Sequence, residues 1–295
     1  MAMESVDNAL VIQFSSAVHV AAQQSKARLR SRVMLKQMTG DFFAYDGLGN
    51  VEASELIGRH QPVSFADIEH KRRKISRRRF VLTLPIDASD VRGMLSNPNS
   101  EYPAACARAM ERVFDRITIE AMFASVYTGR DMGTTVTASS DGVTTVTATA
   151  GYTYEKLLEI SQNFLDAEVG NESPEQMFIG ISGDEHTDLM SELELVSGDY
   201  TRQFAVEKGH LTNAAGFDIV KFGGAVARPL LDVTGGVRTC FAASPRAMCV
   251  GISKEMSVKV DNRPDLVETT QVQIVFDLGA VRTEGVLIQK VTTTD

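Results

Sequence analysis

Residues 101–127, EYPAACARAMERVFDRITIEAMFASVY, carry the pattern that decides the fold. Apolar side chains recur along this stretch every three or four residues, which is the spacing of one face of a helix. That face contains Cys106, Met110, Val113, Phe114, Ile117, Ala121, Met122 and Phe123. Pro103 suits the first turn of a helix, and Gly129 follows as a stop signal. The stretch predicts a helix of about 25 residues, roughly 38 Å long.

The part of the chain after this helix mixes strands with two shorter helices. Residues 133–149 place two Thr/Val segments around Asp141-Gly142, which predicts a β-hairpin. Helices are predicted over Thr153–Val169, with Leu157, Leu158, Phe164 and Leu165 facing inward, and over Gly183–Leu193. Strands are predicted at Met177–Ile181, Phe217–Phe222, Arg238–Ala242, Met248–Ile252, Met256–Val260, Val272–Phe276 and Val286–Val291. Because there is no βαβ rhythm, the sequence predicts an α+β fold.

The part of the chain before the long helix is the most unusual. An amphipathic helix is predicted over residues 5–25, and strands over Arg32–Tyr45 and Arg78–Asp87. Between the strands lie turn-forming residues and a basic run in which residues 71–79 include seven Lys or Arg. A two-stranded ribbon is barely stable alone, and this one has too few apolar residues for its own core. We therefore expect it to lie against a neighbouring copy of the chain.

The composition is ordinary for a globular protein. Of the 295 residues, 43% are hydrophobic and 23% charged, which allows a large core. No apolar run approaches the roughly 20 residues of a membrane span, and the opening MAMESVDNAL lacks the regions of a signal peptide. Cys106, Cys240 and Cys249 are too few for a disulfide framework and form no CxxC zinc pair. We expect them to be small core residues in a reducing cytoplasm.

Charge is distributed unevenly along the chain. The net charge is −8, but residues 1–130 contain 18 Lys/Arg against 14 Asp/Glu, while residues 131–295 contain 12 against 24. A basic first part and an acidic second part indicate head-to-tail contacts between copies. Two solvated faces that never meet would explain the same numbers.

No pattern predicts catalytic, cofactor-binding or metal-binding residues. The five histidines are scattered, and the nearest approach to a metal cluster is DEHTD at 184–188. Neighbouring residues of a helix point apart, so we interpret this segment as a solvated helix start. GISGD at 180–184 resembles a nucleophile elbow but has Asp where that motif needs Gly. Ser182 is better explained as a helix N-cap.

The basic run at 71–79 has three interpretations. A nucleic-acid patch would suit its charge, but only Phe65 and Phe80 lie nearby to stack on bases, and the whole protein is acidic. A merely solvated face is the second interpretation. We favour the third, a hairpin arm that pairs with an acidic neighbouring copy, because it also explains why the ribbon need not fold alone.

Several segments resemble the major capsid proteins of tailed bacteriophages, whose Hong Kong 97-like fold is shared with encapsulin compartments. The first are VIQFSSAVHVAAQQSKARLRSRV at 11–33, FFAYDGLGNVEA at 42–53 and PIDASDVRGMLSNPNSEYPAACARAMERVFDRITIEAMFASVYTG at 85–129. Others resemble the family's apical domain, where a Gly-Phe pair, here Gly216-Phe217, starts a strand. They are YTYEKLLEISQNFLDAEV at 152–169, MFIGISGDEHTDLM at 177–190 and GHLTNAAGFDIVKFGG at 209–224. The likeness covers nearly the whole chain.

The resemblance implies a part for each region of the chain. The parts are an N-terminal arm at 1–30, an extended β-hairpin loop at 31–85, a peripheral domain at 86–151 with the spine helix 101–127 and the hairpin 133–149, an axial domain at 152–245, and C-terminal strands at 246–295 that complete both domains. Because few residues precede the loop, we expect scaffolding from a separate protein or from the arm. Neither Lys71 nor Lys74 matches the family's cross-linking motif, so we predict no covalent cross-link.

The function that the resemblance implies is that of a major capsid protein without enzymatic activity. Such a chain self-assembles into pentamers and hexamers of an icosahedral head around double-stranded DNA. The implied partners are other copies, a scaffolding protein, a portal, cement proteins and DNA packaged without sequence-specific contact, with no membrane. The implied location is the virion, after assembly in the host cytoplasm. Alternatives are an encapsulin-like shell, a basic-arm nucleic-acid-binding protein and an enzyme without a linear motif.

We expect the basic run to make the contacts between copies. The candidate interface residues are Lys71, Arg72, Arg73, Lys74, Arg77, Arg78 and Arg79 on one copy and Glu192, Glu194 and Asp199 on the next. Exposed ion pairs contribute only about 0–1 kcal/mol each. Their role would be to set register and orientation, while apolar burial holds the shell together.

Overall fold

The computed structural model describes residues 24, 26–49, 51–53, 55, 65, 68–86, 101–148, 151–169, 176–192, 211–223, 229–263 and 269–294. The strands are β1 Met34–Gln37, β2 Phe42–Leu48, β3 His70–Ser76, β4 Arg78–Ile86, β5 Val126–Thr128, β6 Thr134–Val136, β7 Thr144–Ala148, β8 Phe178–Ile181, β9 Asn213–Ala214, β10 Phe217–Lys221, β11 Val233–Thr234, β12 Val237–Ala243, β13 Met248–Arg263, β14 Thr269–Arg282 and β15 Ile288–Thr294. The helices are α1 Glu101–Phe123, α2 Tyr154–Asp166 and α3 Gly183–Ser191, with a short 3-10 helix at Gly285–Leu287. This mixture confirms the predicted α+β class.

Three sheets organise the described strands. The first has the order β1-β13-β14-β4, and the second has the order β7-β15-β12-β8-β10-β9, with β11 also paired to β12. The third has the order β2-β3-β5-β6. Most neighbours in these sheets are far apart in sequence, as in the parallel pair of β15 with β7. The sheets are therefore built mainly from long-range pairing rather than from hairpins.

The chain divides into two compact units. The smaller unit comprises residues 1–26, 79–112 and 254–277, and the larger comprises 27–78, 113–253 and 278–295. In the smaller unit the first half of α1 buries Cys106 and Met110, and β14 buries Val272, Ile274 and Phe276. In the larger unit the second half of α1 buries Phe114 and Ile117, and β8, β10 and β12 bury Phe178, Phe217 and Phe241. All three cysteines are buried and unbonded, as predicted.

Most predicted helices and strands are confirmed within a few residues. The long helix predicted over 101–127 ends at Phe123, because Val126–Thr128 already pairs with Thr134–Val136 as a strand. The two strands predicted at Met248–Ile252 and Met256–Val260 are one continuous strand. The helix predicted over residues 5–25 lies outside the described residues. No helix in the described ranges is long and apolar enough to cross a membrane.

The predicted hairpin at 133–149 is wrong, although its turn and both of its strands exist. β6 pairs with β5 in the third sheet, whereas β7 pairs with β15 in the second. The turn residues around Asp141-Gly142 therefore join two sheets. Backbone hydrogen bonds close the turn, as from the Val143 N–H to the Ala138 carbonyl at 3.1 Å, and the Asp141 side chain connects it to Arg73 and Arg282.

The pairing predicted for the ribbon is also wrong in detail. We expected Arg32–Tyr45 to pair with Arg78–Asp87 across a looped basic run. Instead, β2 pairs antiparallel with β3, so the basic run is itself a strand, with Phe42 opposite Ser76 and Leu48 opposite His70. β3 also contacts β5, which makes the ribbon part of a four-stranded sheet of its own chain.

Candidate assembly surface and its anchor

The ribbon formed by β2 and β3 has two distinct faces. Alternate residues of a strand point to opposite sides, and the register aligns Phe43 with Ile75 and Ala44 with Lys74. The odd-numbered side chains of both strands therefore share one face, and the even-numbered side chains share the other. We call these the inner face and the outer face.

The inner face is buried against the chain's own core. Ile75 is fully buried in a cluster with Met38, Val126, Cys249 and Val281. Phe43 and Tyr45, across the ribbon from Ile75 and Arg73, pack against the same cluster. The ribbon therefore has a base that folds within one subunit, contrary to our expectation that it lacks a core of its own.

Arg73 on the inner face belongs to a buried ionic cluster with Asp141 and Arg282. Its two terminal nitrogens lie 2.8 and 2.7 Å from the two carboxylate oxygens of Asp141. The Nε of Arg282 donates to the same carboxylate at 2.7 Å. The Arg73 and Arg282 side chains are 6% and 0% exposed. Two almost fully buried guanidinium groups thus share one carboxylate, whose side chain is 11% exposed.

The cluster has two positive groups and one negative group, and the end of a helix offsets the remaining positive charge. The Nη1 of Arg282 donates to the carbonyl oxygens of Met122 and Ala124, at 2.7 and 3.1 Å. Carbonyl groups at a helix C-terminus lack helical partners and carry partial negative charge. Arg282 therefore caps α1. A Cβ on Gly285 would collide with the Asp141 carbonyl, so a glycine is needed beside the turn.

The outer face of the ribbon is charged and partly apolar. It contains His70, Arg72, Lys74 and Ser76 on β3, opposite Leu48, Asp46, Ala44 and Phe42 on β2. Arg72 pairs with Asp46 at 2.6 Å, and the Lys74 ammonium lies 5.1 Å from the centre of the Phe42 ring. Phe42 and Leu48 are 50% and 64% exposed. The outer face thus offers two cations and two large apolar groups to solvent.

Every arginine of the basic run has a carboxylate partner in its own chain. Besides Arg72 and Arg73, the pairs are Arg77 with Asp41, Arg78 with Glu120 and Arg79 with Asp277, at 2.7, 3.2 and 2.9 Å. Of the acidic partners expected on the next copy, Glu192 follows α3 and is half-buried. Glu194 and Asp199 lie outside the described residues. Pairing of the run with these acids of another copy stays a prediction.

A second anchor fixes the chain just before β1. The Asp115 carboxylate, fully buried on α1, accepts the backbone N–H groups of Arg28 and Leu29 at 2.9 and 3.0 Å. Leu29 is fully buried, and Arg32 pairs with Asp218. The sequence carries no signal for this anchor. At 100° per residue Asp115 lies about 160° from Ile117, on the side of α1 opposite the apolar stripe, and only tertiary packing buries it.

The segment DEHTD at 184–188 is only partly the solvated helix start that we predicted. Ser182 is the N-cap of α3 and forms a capping box with Glu185, as predicted for the N-cap. Glu185, however, is buried and also accepts the Thr293 hydroxyl at 2.8 Å, while Arg238 contacts both Ser182 and Glu185. Within the described residues, no group of three or more acidic, His or Cys side chains could hold a metal ion. The cluster ties α3 to β12 and β15.

The fold closely matches several solved phage capsids. The chain resembles the capsid of the cyanophage P-SCSP1u, with 11% sequence identity and a TM-score of 0.71. The structural alignment covers 98% of this chain and 94% of that one. For Helicobacter pylori bacteriophage KHP30 the identity is 11%, the TM-score 0.71 and the coverages 99% and 97%. For Mycobacterium phage Che8 the sequence identity is 13% and the TM-score 0.68, and the alignment covers 96% of this chain and 97% of that one. No curated protein sequence matches significantly.

These likenesses define the class: the fold is that of phage capsid subunits. The sequence itself matches the phage capsid protein family over residues 6–292. The chain belongs to the phage capsid protein family. It is a major capsid protein of a phage head, a structural component of the virion, as its sequence predicted.

Proposed function

We propose that the protein assembles into the pentamers and hexamers of an icosahedral head that encloses double-stranded DNA. The observation that carries the proposal is the whole-length match to phage capsid subunits, with no large part of either chain left over. Rings form when a head-to-tail contact closes by rotation. A single chain that builds rings of both sizes needs contacts that tolerate small changes in angle.

The division into parts follows the same proposal. Residues 1–30 act as an arm, 31–85 as the extended loop, 86–151 as the peripheral domain and 152–245 as the axial domain, completed by residues 246–295. A scaffolding protein, a portal and cement proteins are the further partners. Assembly takes place in the host cytoplasm, and the protein has no enzymatic activity. The acidic net charge of −8 supports an inner wall that holds DNA without trapping it.

The burial of each arginine supports a smaller set of candidate residues for the contact between copies. Arg73 is buried in the ionic cluster with Asp141, so we infer that it serves the fold of the subunit rather than the contact between copies. Arg72 and Lys74 lie on the partly exposed outer face, where Arg72 pairs with Asp46 of its own chain and Lys74 lies over the Phe42 ring. We therefore assign the contact between copies to the outer face of the ribbon, with Arg73 as part of its foundation.

Electron microscopy of the expressed chain tests the proposal. The full chain is produced alone and together with the scaffolding protein from the same phage. We expect closed particles with fivefold and sixfold capsomers in at least one of the two preparations. Soluble monomers in both, from chain that is folded by circular dichroism, would contradict the proposal. DNA rather than a protein cargo inside heads from infected cells supports the packaging role.

A further inference from the structure

The solvent side of α2 is an acidic surface with two exposed leucines. At 100° per residue, Glu155, Leu158, Glu159, Leu165 and Asp166 fall within an arc of about 120°. The three acidic residues are exposed, and Leu158 and Leu165 are 48% and 49% exposed. We had predicted both leucines to face inward, which is wrong. We call this arc the α2 outer surface.

The opposite side of α2 is fully used by the fold. Leu157, Ile160 and Phe164 are buried there. Gln289 on β15 donates to the carbonyl oxygen of Ile160 at 2.9 Å, and Asn163 donates to Gln289 at 3.3 Å. The helix is therefore fixed in rotation. The leucines are held at the surface by the packing of the helix, which makes them a permanent feature.

The α2 outer surface and the outer face of the ribbon are complementary. The α2 outer surface offers two half-exposed leucines among three carboxylates, of which Glu159 also pairs with Lys156. The outer face of the ribbon offers Phe42 and Leu48 beside Arg72 and Lys74, with Asp46 paired to Arg72. Their lengths also agree. Residues 42–48 of a strand span about 20 Å, and residues 155–166 of a helix span about 17 Å. Opposite charges around an apolar centre are typical of specific protein contacts.

We propose that the α2 outer surface is the docking site for the outer face of the ribbon of a second copy. The inference rests on the proposed function, since it names the surface that receives the ribbon during assembly. It replaces the acidic partners that the sequence suggested, Glu192, Glu194 and Asp199, by Glu155, Glu159 and Asp166. The charges set the register of the contact, and the leucines and Phe42 exclude water from its centre.

Charge reversal with rescue tests the pairing. The variants are Arg72→Glu with Lys74→Glu, Glu155→Lys with Glu159→Lys, and all four substitutions in one chain. Each double substitution alone should lower the particle yield by at least about tenfold, since side chains of like charge then face each other across the contact. The fourfold variant should recover most of the yield. The matched control is Asp131→Lys with Asp261→Lys, two exposed carboxylates that belong to neither surface, which should assemble normally.

Cross-linking between differently tagged chains gives a second readout. Particles are assembled from one chain with Leu165→Cys and another with Leu48→Cys, and treated with a short bismaleimide. The native cysteines are buried, so the background is low. We expect a covalent dimer carrying both tags. Leu35→Cys, at a residue 42% exposed on β1, replaces Leu48→Cys as the control and should give none.

The possible outcomes separate the docking site from the proposed function. Rescue together with the cross-link supports the docking site. If the wild-type chain forms particles but the fourfold variant is not rescued and no cross-link forms, the docking site is wrong and the shell function stands. If all variants assemble as the wild type does, the docking site is likewise overturned. If the wild-type chain never forms particles, the proposed function itself fails.

Discussion

At the scale of single residues, Arg72 and Arg73 show how neighbours in one basic run can have unrelated roles. Arg72 is exposed on the outer face of the ribbon, and Arg73 is buried on the inner face. Both were predicted as interface residues, because the charge of a side chain does not show which way it points. Period-two alternation would have separated them once the run was recognised as a strand.

Replacing Asp141 should destabilise the subunit strongly. Asp141→Asn leaves two buried guanidinium groups without their shared carboxylate, and breaking a buried ion pair costs about 3–5 kcal/mol. We expect a loss of about that size in the free energy of unfolding, measured by urea denaturation of unassembled subunit. Asp131→Asn, at an exposed position, should change it by less than about 0.5 kcal/mol. Equal effects of the two substitutions would contradict the cluster.

The same carboxylate should make the subunit sensitive to acid. Burial alone would raise the pKa of Asp141, but the hydrogen bonds and charges of Arg73 and Arg282 outweigh burial and lower it below its usual value of 3.8. A group with a lower pKa in the folded state stabilises above its unfolded value and loses that effect as pH falls through the folded one. Stability should drop below about pH 4. Asp141→Asn should lack this component of the titration.

The three thiols should be inert in the folded protein. Burial raises the pKa of Cys249 to about 11 and that of Cys240 well above its usual value, and it also raises the pKa of Cys106. The thiolate is the reactive form. We expect no reaction with a thiol reagent at about pH 8, and reaction of all three after unfolding. A fast-reacting native thiol would show that the core around it opens readily.

At the scale of elements, helices were predicted more accurately than strand pairing. The apolar spacing located α1, α2 and α3 to within a few residues, because helical contacts are local. Two hairpins were assigned wrongly, since pairing partners such as β7 and β15 lie far apart in sequence. Asp141-Gly142 carried a turn signal that was correct, but the aspartate serves an ionic cluster that no local pattern reveals.

The approach of β14 to the end of β3 requires a glycine. A Cβ on Gly279 would collide with the carbonyl oxygen of Ser76. Gly279→Ala should lower the free energy of unfolding by about 1–3 kcal/mol, because backbone must shift to make room. The control is Gly133→Ala, whose Cβ meets no described atom within 4 Å. Thermal denaturation of the two variants measures the difference.

The turn between β9 and β10 can be improved. Ala215 and Gly216 have φ angles of 48° and 84°, and they link the paired residues Ala214 and Phe217. Asn tolerates the left-handed conformation better than Ala and precedes Gly in favoured two-residue turns. We expect Ala215→Asn to stabilise the subunit by roughly 0.5–1 kcal/mol, and Ala215→Val to destabilise it. A melting temperature lowered by Asn would contradict this turn geometry.

At the scale of the whole molecule, the resemblance predicted the capsid fold from segments spread along the chain. The candidate interface was predicted only as a region. The role of the basic run in the contact between copies stays a prediction. The inner face, the anchor at Asp115 and the exposed leucines of α2 depend on tertiary packing. A sequence pattern shows that a helix has an apolar stripe. It does not show how much of that stripe is buried by the neighbouring sheet.

Folding of the subunit and assembly should be separable. The outer face of the ribbon takes no part in the buried clusters, so Arg72→Glu with Lys74→Glu should leave the melting temperature of unassembled subunit within about 2 °C of the wild type. Subunits within particles should melt at a higher temperature, since association stabilises the folded state. Arg73→Glu, by contrast, should fail to fold. Loss of folding in the outer-face variant would contradict the two-face description.

The Asp141 carboxylate also connects the base of the ribbon to Arg282, the last residue of β14, and through Arg282 to the end of α1. Tension applied to the ribbon by a neighbouring subunit would travel through Arg73 and Asp141 into Arg282, and from there into the helix terminus. The Arg73 and Arg282 side chains are almost fully buried, so water has little access to the three hydrogen bonds that would bear such tension.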